Sequence, residues 1–216
     1  MSKSYTLKNG VLTIQSGIPY IKEGAFRGRK MTSVIIPDSV TSIGIGAFGG
    51  CTNLTSVSIP DNVKSIGTSA FSGCLNLTDI TLCDGVTYIG ERAFFMCPNL
   101  INLTMPDSVT FIGAYAFAGC FKLTDVTLPN NVTYIGIDAF HGSEMTSLTI
   151  PYSMNVIREG VFMGCEELTS VTIPDSVTEI KEAAFRDSVK LTSVVVPANA
   201  KIADNAFPKT TAIIRR

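Results

Sequence analysis

The chain is 216 residues long, above the usual single-domain size, yet a chain of internal repeats grows as one stack, so length alone does not divide it. With 45% hydrophobic and 16% charged residues it is too apolar to be disordered and has side chain enough for a continuous core. The net charge of -1 and the scattered lysines and arginines argue against nucleic acid as a partner, and no apolar run approaches the roughly 20 residues needed for membrane insertion.

The first ten residues (MSKSYTLKNG) lack the apolar core of a secretory signal, so the expectation from residues alone is a soluble, unaddressed chain. Tyr5 to Ile14 forms two short β-prone runs around Asn9-Gly10, the strongest local hairpin signal, and residues 1–14 are expected to cap the rest of the chain by lying across its first turn. From there a period takes over. Phenylalanine recurs at Phe26, Phe48, Phe71, Phe94, Phe117, Phe140, Phe162, Phe185 and Phe207, at spacings of 22 or 23, which gives nine repeats over residues 15–207. Residues 208–216 then supply one last strand through Ala212 to Ile214, with Arg215 and Arg216 discouraging pairing at its edge.

Within each repeat the columns are uniform. Isoleucine stands five residues before every one of these phenylalanines, from Ile21 to Ile202, and alanine stands just before all but one, where Val161 replaces it. Leu54 to Asn76 (LTSVSIPDNVKSIGTSAFSGCLN) shows the form well. Its L-x-x-V-x-I opening alternates as a strand does, with Val57 and Ile59 inward and Ser56 and Ser58 outward. Proline then ends the strand, because it cannot donate a ladder hydrogen bond, and the Asp or Asn after it suits a turn. A second extended piece, Val63 to Ile66, and a tight turn at Ala70-Phe71 close the coil. One such coil cannot bury enough apolar surface to fold alone. Nine stacked at about 4.8 Å make a rod on the order of 40 Å long.

The pattern IPDSVTSIGIGAFGGCTNL at Ile36 to Leu54, with its proline, isoleucine, alanine-phenylalanine and cysteine positions recurring in register, resembles the BspA-type leucine-rich repeat over Leu12 to Phe207. The resemblance implies a right-handed, mainly β solenoid and a bacterial or protist surface or secreted protein, some relatives being adhesins for host proteins. Without a leader, linker or anchor in the sequence, a cytoplasmic location is the alternative.

Outward strand positions are the expected binding face, since solenoids bind through such surfaces. One column reads Ser56, Asp79, Asn102, Asp125, and two residues on stand Thr81, Thr104 and Thr127. These are read either as good strand formers or as a shallow contact surface for a protein, a host or extracellular-matrix protein among them, or for a glycan. Tyr88, Phe111 and Tyr134 fall one residue before the isoleucine in successive repeats, with Tyr115 nearby, either as an outward stripe or tucked under neighbouring turns.

The remaining chemistry-bearing residues read as repeat positions. Cys51, Cys74, Cys97, Cys120 and Cys165 all lie three residues after a phenylalanine and are expected to form a reduced, buried row. Cys83, at a strand-ending proline position, is the leading candidate for a reactive thiol, and His141 is the sole histidine. The aspartates after the prolines (Asp38, Asp61, Asp107, Asp175) are read as turn formers before cation ligands. No cofactor, metal or catalytic set is expected, and the function expected is recognition or adhesion without catalysis. The alternative is an intracellular scaffold that self-associates weakly through its last coil.

Overall fold

The computed structural model describes residues 4–216, and these form strands and turns without helices. β1 (Tyr5–Lys8) and β2 (Val11–Ile14) make the hairpin, turned by Asn9 and Gly10, both at positive φ as a two-residue type I′ connection requires. β2 also pairs in parallel with the strand of the next coil and buries Leu12 and Ile14. The hairpin therefore extends the sheet edge rather than lying across the first coil, and β2 is already that coil's strand.

Each coil contributes one longer and one shorter strand. β2 is joined in its coil by β3 (Tyr20–Ile21); coils two to five add β4 (Ser33–Ile35) with β5 (Ser42–Ile43), β6 (Ser56–Ile59) with β7 (Ser65–Ile66), β8 (Asp79–Leu82) with β9 (Tyr88–Ile89), and β10 (Asn102–Thr104) with β11 (Phe111–Ile112). Coil six holds β12 (Asp125–Thr127) and β13 (Tyr134–Ile135), and coil seven β14 (Ser147–Thr149) and β15 (Val156–Ile157). Coil eight holds β16 (Ser170–Thr172) and β17 (Glu179–Ile180), coil nine β18 (Ser193–Val196) and β19 (Lys201–Ile202), and β20 (Ala212–Arg215) pairs in parallel with β18.

The long strands form a seven-stranded sheet, β1 to β12, and a four-stranded one, β14 to β20; the short strands divide likewise, into six (β3 to β13) and three (β15 to β19). Both divisions fall between coils six and seven.

The repeat columns become rows of touching side chains. From Phe26 to Phe207 every phenylalanine ring stacks on the next, with centroids 5.0 to 5.8 Å apart, and the seven inner rings are fully buried. Each such pair adds about 0.5–1.5 kcal/mol beyond its buried area. Alanine precedes the ring because the backbone is crowded there: the amides of Phe48, Phe71, Phe94 and Phe117 each donate to the alanine carbonyl one coil ahead at 2.8 Å. Beside the short strands the coil-to-coil bonds run the other way, as in Lys64 N–H to Thr41 O at 2.8 Å.

The corner is tight enough to need the left-handed region just ahead of the Ala-Phe pair, at Gly24, Gly46, Ser69, Arg92, Tyr115, Asp138, Gly160 and Ala183. In seven of the nine coils proline ends the longer strand as expected and then closes a turn, its carbonyl accepting from the amide three residues on, as in Val63 N–H to Pro60 O at 3.0 Å. Cys83 performs the same service for Val86, which is how coil four keeps its shape without a proline.

The chain's last two arginines do more than repel an edge. Arg215 Nη1 donates to the carbonyls of Ala198 and Ala200 at 2.8 and 3.0 Å, and Arg216 reaches Asp175 Oδ1 at 2.9 Å and Ile173 O at 2.7 Å. They clamp β20 onto the coils before it.

Candidate functional site

The residues singled out from the sequence lie on two different sheets. Ser56, Asp79, Asn102 and Asp125 are partners across β6, β8, β10 and β12, and Thr81, Thr104 and Thr127 form the next row of the same sheet. All seven are exposed, and between the two rows Val57, Ile80 and Leu103 point into the core. The face is a consequence of strand alternation: once valine or leucine must be inward, the residues on either side must face out.

What those residues offer chemically is a flat field of short polar groups. The Thr78 hydroxyl shares its one proton between Asp79 Oδ2, at 2.7 Å, and the carbonyl of Thr55, and Asn102 stands between Asp79 and Asp125 in the row. The hydroxyls of Thr81, Thr104 and Thr127 have no partner among the described residues. Other threonine rows are occupied structurally. Thr55, Thr78 and Thr169 donate to the threonine carbonyl one coil back, at 3.0 to 3.1 Å, and Thr110 and Thr133 do the same in the second sheet, at 3.2 and 3.3 Å. The distinction between threonines bonded across coils and those with free hydroxyls was not legible from composition, since both recur once per coil.

Tyr88, Phe111 and Tyr134 lie on the six-stranded sheet, whereas the first set lies on the seven-stranded one. Their rings stack on one another, at 4.7 Å and 4.5 Å between centroids, within 11° of parallel. They are neither a wholly outward stripe nor tucked under turns: Tyr88 is 41% exposed, while Phe111 and Tyr134 are half-buried by each other's faces. Sequence reasoning missed the residue that closes the stack, Arg158, whose guanidinium carbon sits 4.3 Å from the Tyr134 centroid. The signal was present, because Arg158 breaks a column of five glycines from Gly44 to Gly136. Tyr115 stands apart from the stripe, half-buried at its corner with Arg92 over its ring at 4.9 Å.

The cysteines are structural. All six are free, and those of the column are buried, each thiol donating to the phenylalanine carbonyl of an earlier coil: Cys51 to Phe26, Cys74 to Phe48, Cys97 to Phe71 and Cys120 to Phe94, at 3.1 to 3.3 Å, with Cys165 to Phe140 at 3.6 Å. Ser188 fills the same role with its hydroxyl. Burial pushes the thiols of Cys120 and Cys165 up to about 12 and that of Cys51 to about 11, which suppresses the reactive thiolate. Cys83 is half-buried, and burial together with the neighbouring Asp61 raises its pKa too, so it is a poor nucleophile at neutral pH.

His141 borders a groove of about 510 Å³ with Phe121, Glu144, Glu166 and Asp187. Among the described residues no group of three or more His, Cys, Asp or Glu side chains is arranged to hold a metal ion, and no helix is long and apolar enough to cross a membrane.

The sequence matches the BspA type Leucine rich repeat region (6 copies) over residues 4–120 and 88–214. No curated protein matches it. Among solved structures, the T. pallidum leucine rich repeat protein TpLRR is 30% identical, with 87% of this chain and 86% of that one covered and a TM-score of 0.72. A leucine rich cell surface protein of Faecalibacterium prausnitzii is 25% identical over 97% of this chain and 86% of that one, with a TM-score of 0.55. The pneumococcal vaccine antigen PcpA shares the fold at 22% identity and a TM-score of 0.57, covering 93% of this chain and 58% of that one.

Proposed function

The chain belongs to the BspA-type leucine-rich repeat family, and on that premise we propose that it is a non-enzymatic binding module that recognises a protein partner through the outward face of the seven-stranded sheet. The observation that carries this reading is the in-register, exposed field of Ser56, Asp79, Asn102, Asp125, Thr81, Thr104 and Thr127, rigidly spaced by a parallel ladder, with Asp79 and Asp125 as its only charged members. Adhesion at a cell surface is the role that fits best, and a surface protein among the structural relatives supports it. The partner class is a host or extracellular-matrix protein, with its glycans as the alternative ligand.

The test is immobilised binding of the whole chain to extracellular-matrix proteins, before and after deglycosylation. Asn102→Arg with Thr104→Arg is expected to abolish capture while leaving the melting temperature unchanged. Capture unaffected by the double variant would remove this face from consideration.

A second reading, a scaffold that self-associates weakly through the last coil, draws on Ile213 and Ile214, which are 44% and 52% exposed on β20. Light scattering over a concentration series separates the two readings. Mass that grows with concentration and falls back when both isoleucines become serine favours the scaffold, and a constant monomer mass removes it.

A further inference from the structure

We infer that the rod is two rigid blocks, coils one to six and coils seven to nine, hinged along the phenylalanine corner and latched by Arg158. The division is set by backbone pairing and does not depend on the proposed function. Strand pairing stops at the same junction in both sheets: β12 has no bond to β14 and β13 none to β15, although each is the next strand in its column.

Two columns of amides trace the break residue by residue. In the first, Thr41, Lys64, Thr87, Thr110, Thr133, Thr178 and Lys201 all donate to the coil before; in the second, Gly44, Gly67, Gly90, Gly113, Gly136, Lys181 and Ala203 do. Asn155 and Arg158, the coil-seven members of these columns, are the exceptions among the described residues. The corner, by contrast, stays joined across the junction, with Asp138 N–H to Glu159 O at 3.1 Å, Phe140 N–H to Val161 O at 2.9 Å and Gly142 N–H to Met163 O at 2.9 Å. Even there the stack loosens: Phe140 and Phe162 are 5.8 Å apart, against 5.0 to 5.4 Å elsewhere in the column.

Close approach explains where the division falls. In coils two to six the glycine column lets the backbone come so near the preceding coil that an added Cβ would lie 2.4 to 2.8 Å from its nearest atom. Arg158 is the first residue to bring a side chain against a glycine coil in that column, and the tight geometry cannot continue through it. Coils eight and nine then stack in a geometry that accepts Lys181 and Ala203, whose amides bond again at 2.8 and 2.9 Å. Away from the corner, side chains bridge the junction: Arg158 on the Tyr134 ring, and Ser153 Oγ donating to Val132 O. Flexing about the corner parts these contacts and changes the angle between the outward face of coils one to six and that of coils seven to nine.

Hydrogen exchange of the full chain at neutral pH, read by peptide mass spectrometry, tests the hinge. The amides of Asn155 and Arg158 are expected to exchange at least about tenfold faster than those of Thr133, Gly136, Thr178 and Lys181, because their opening needs no global unfolding. Protection at Asn155 and Arg158 equal to that of these counterparts would overturn the hinge. Arg158→Ala is expected to speed exchange over residues 146–158 severalfold further and leave coils one to five as they were; no change over 146–158 would overturn the latch.

Discussion

Coils one to six and coils seven to nine are built from the same columns yet are held together differently. In the first block a run of glycines brings each backbone down onto the one before, four buried thiols bond across coils, and every strand finds its neighbour. In the second, side chains occupy the glycine column, one buried thiol and one buried hydroxyl remain, and β16 meets β18 through the single pair Thr172–Val195. A solenoid's stability is a sum of coil and interface contributions, so a repeat can be kept in sequence while its interface weakens.

The comparison is broken most sharply in the core. Phe94→Ala, at a fully buried ring stacked on both sides, is expected to cost about 3–5 kcal/mol, and Phe162→Ala, beside the 5.8 Å gap, to fall at the low end of that range. Urea midpoints of the two variants measure the difference; equal losses would mean that the two blocks are packed alike.

Next in size is the glycine column. Gly90→Ala puts a Cβ 2.7 Å from the Thr68 amide nitrogen and is expected to cost about 1–3 kcal/mol, whereas Ala203→Gly in the second block costs about 1 kcal/mol or less, from backbone entropy alone. Thermal melts of the pair rank the two geometries.

Alkaline titration separates the blocks by their thiols. A thiol whose folded pKa is raised stabilises the fold fully below its unfolded value near 9.0 and ceases to do so as pH rises through the folded value. With Cys120 and Cys165 raised to about 12, Cys51 to about 11 and Cys74 raised as well, stability is expected to decline between pH 9 and 12. The first block, which holds three of these four thiols, is expected to lose more, and a urea midpoint independent of pH over this window would contradict the buried reduced row. The smallest effect is at the surface, where Arg216→Ala removes an exposed pair with Asp175 and is expected to cost about 1 kcal/mol or less, fading with added salt.

Most of this architecture was legible because a solenoid writes each contact once per coil. A phenylalanine that recurs at 22 or 23 residues can only be a row, and Asn9-Gly10 can hardly be anything but a hairpin turn. What stayed hidden depends on geometry between coils. Coil seven is a residue short between Phe140 and Met145, but so is the stretch from Phe26 to Met31, where pairing continues, so the sequence alone could not place the division. The aromatic stripe was visible as a column, whereas its separation from the Asp79–Asp125 row on another sheet, and its closure by Arg158, required the strand register. The clamping by Arg215 and Arg216 involves coils that are neighbours only after folding.

The central claim is that equivalent residues of successive coils touch, continuously along the phenylalanine corner and with one interruption in the sheets. Nuclear Overhauser contacts in the phenylalanine- and amide-labelled chain test it directly. The expected result is an unbroken series of ring-to-ring contacts from Phe26 to Phe207, with amide contacts between neighbouring coils missing only at β12/β14 and β13/β15. Rings without contacts to their neighbours 22 or 23 residues away would contradict the stack, and amide contacts running through coils six and seven would contradict the division.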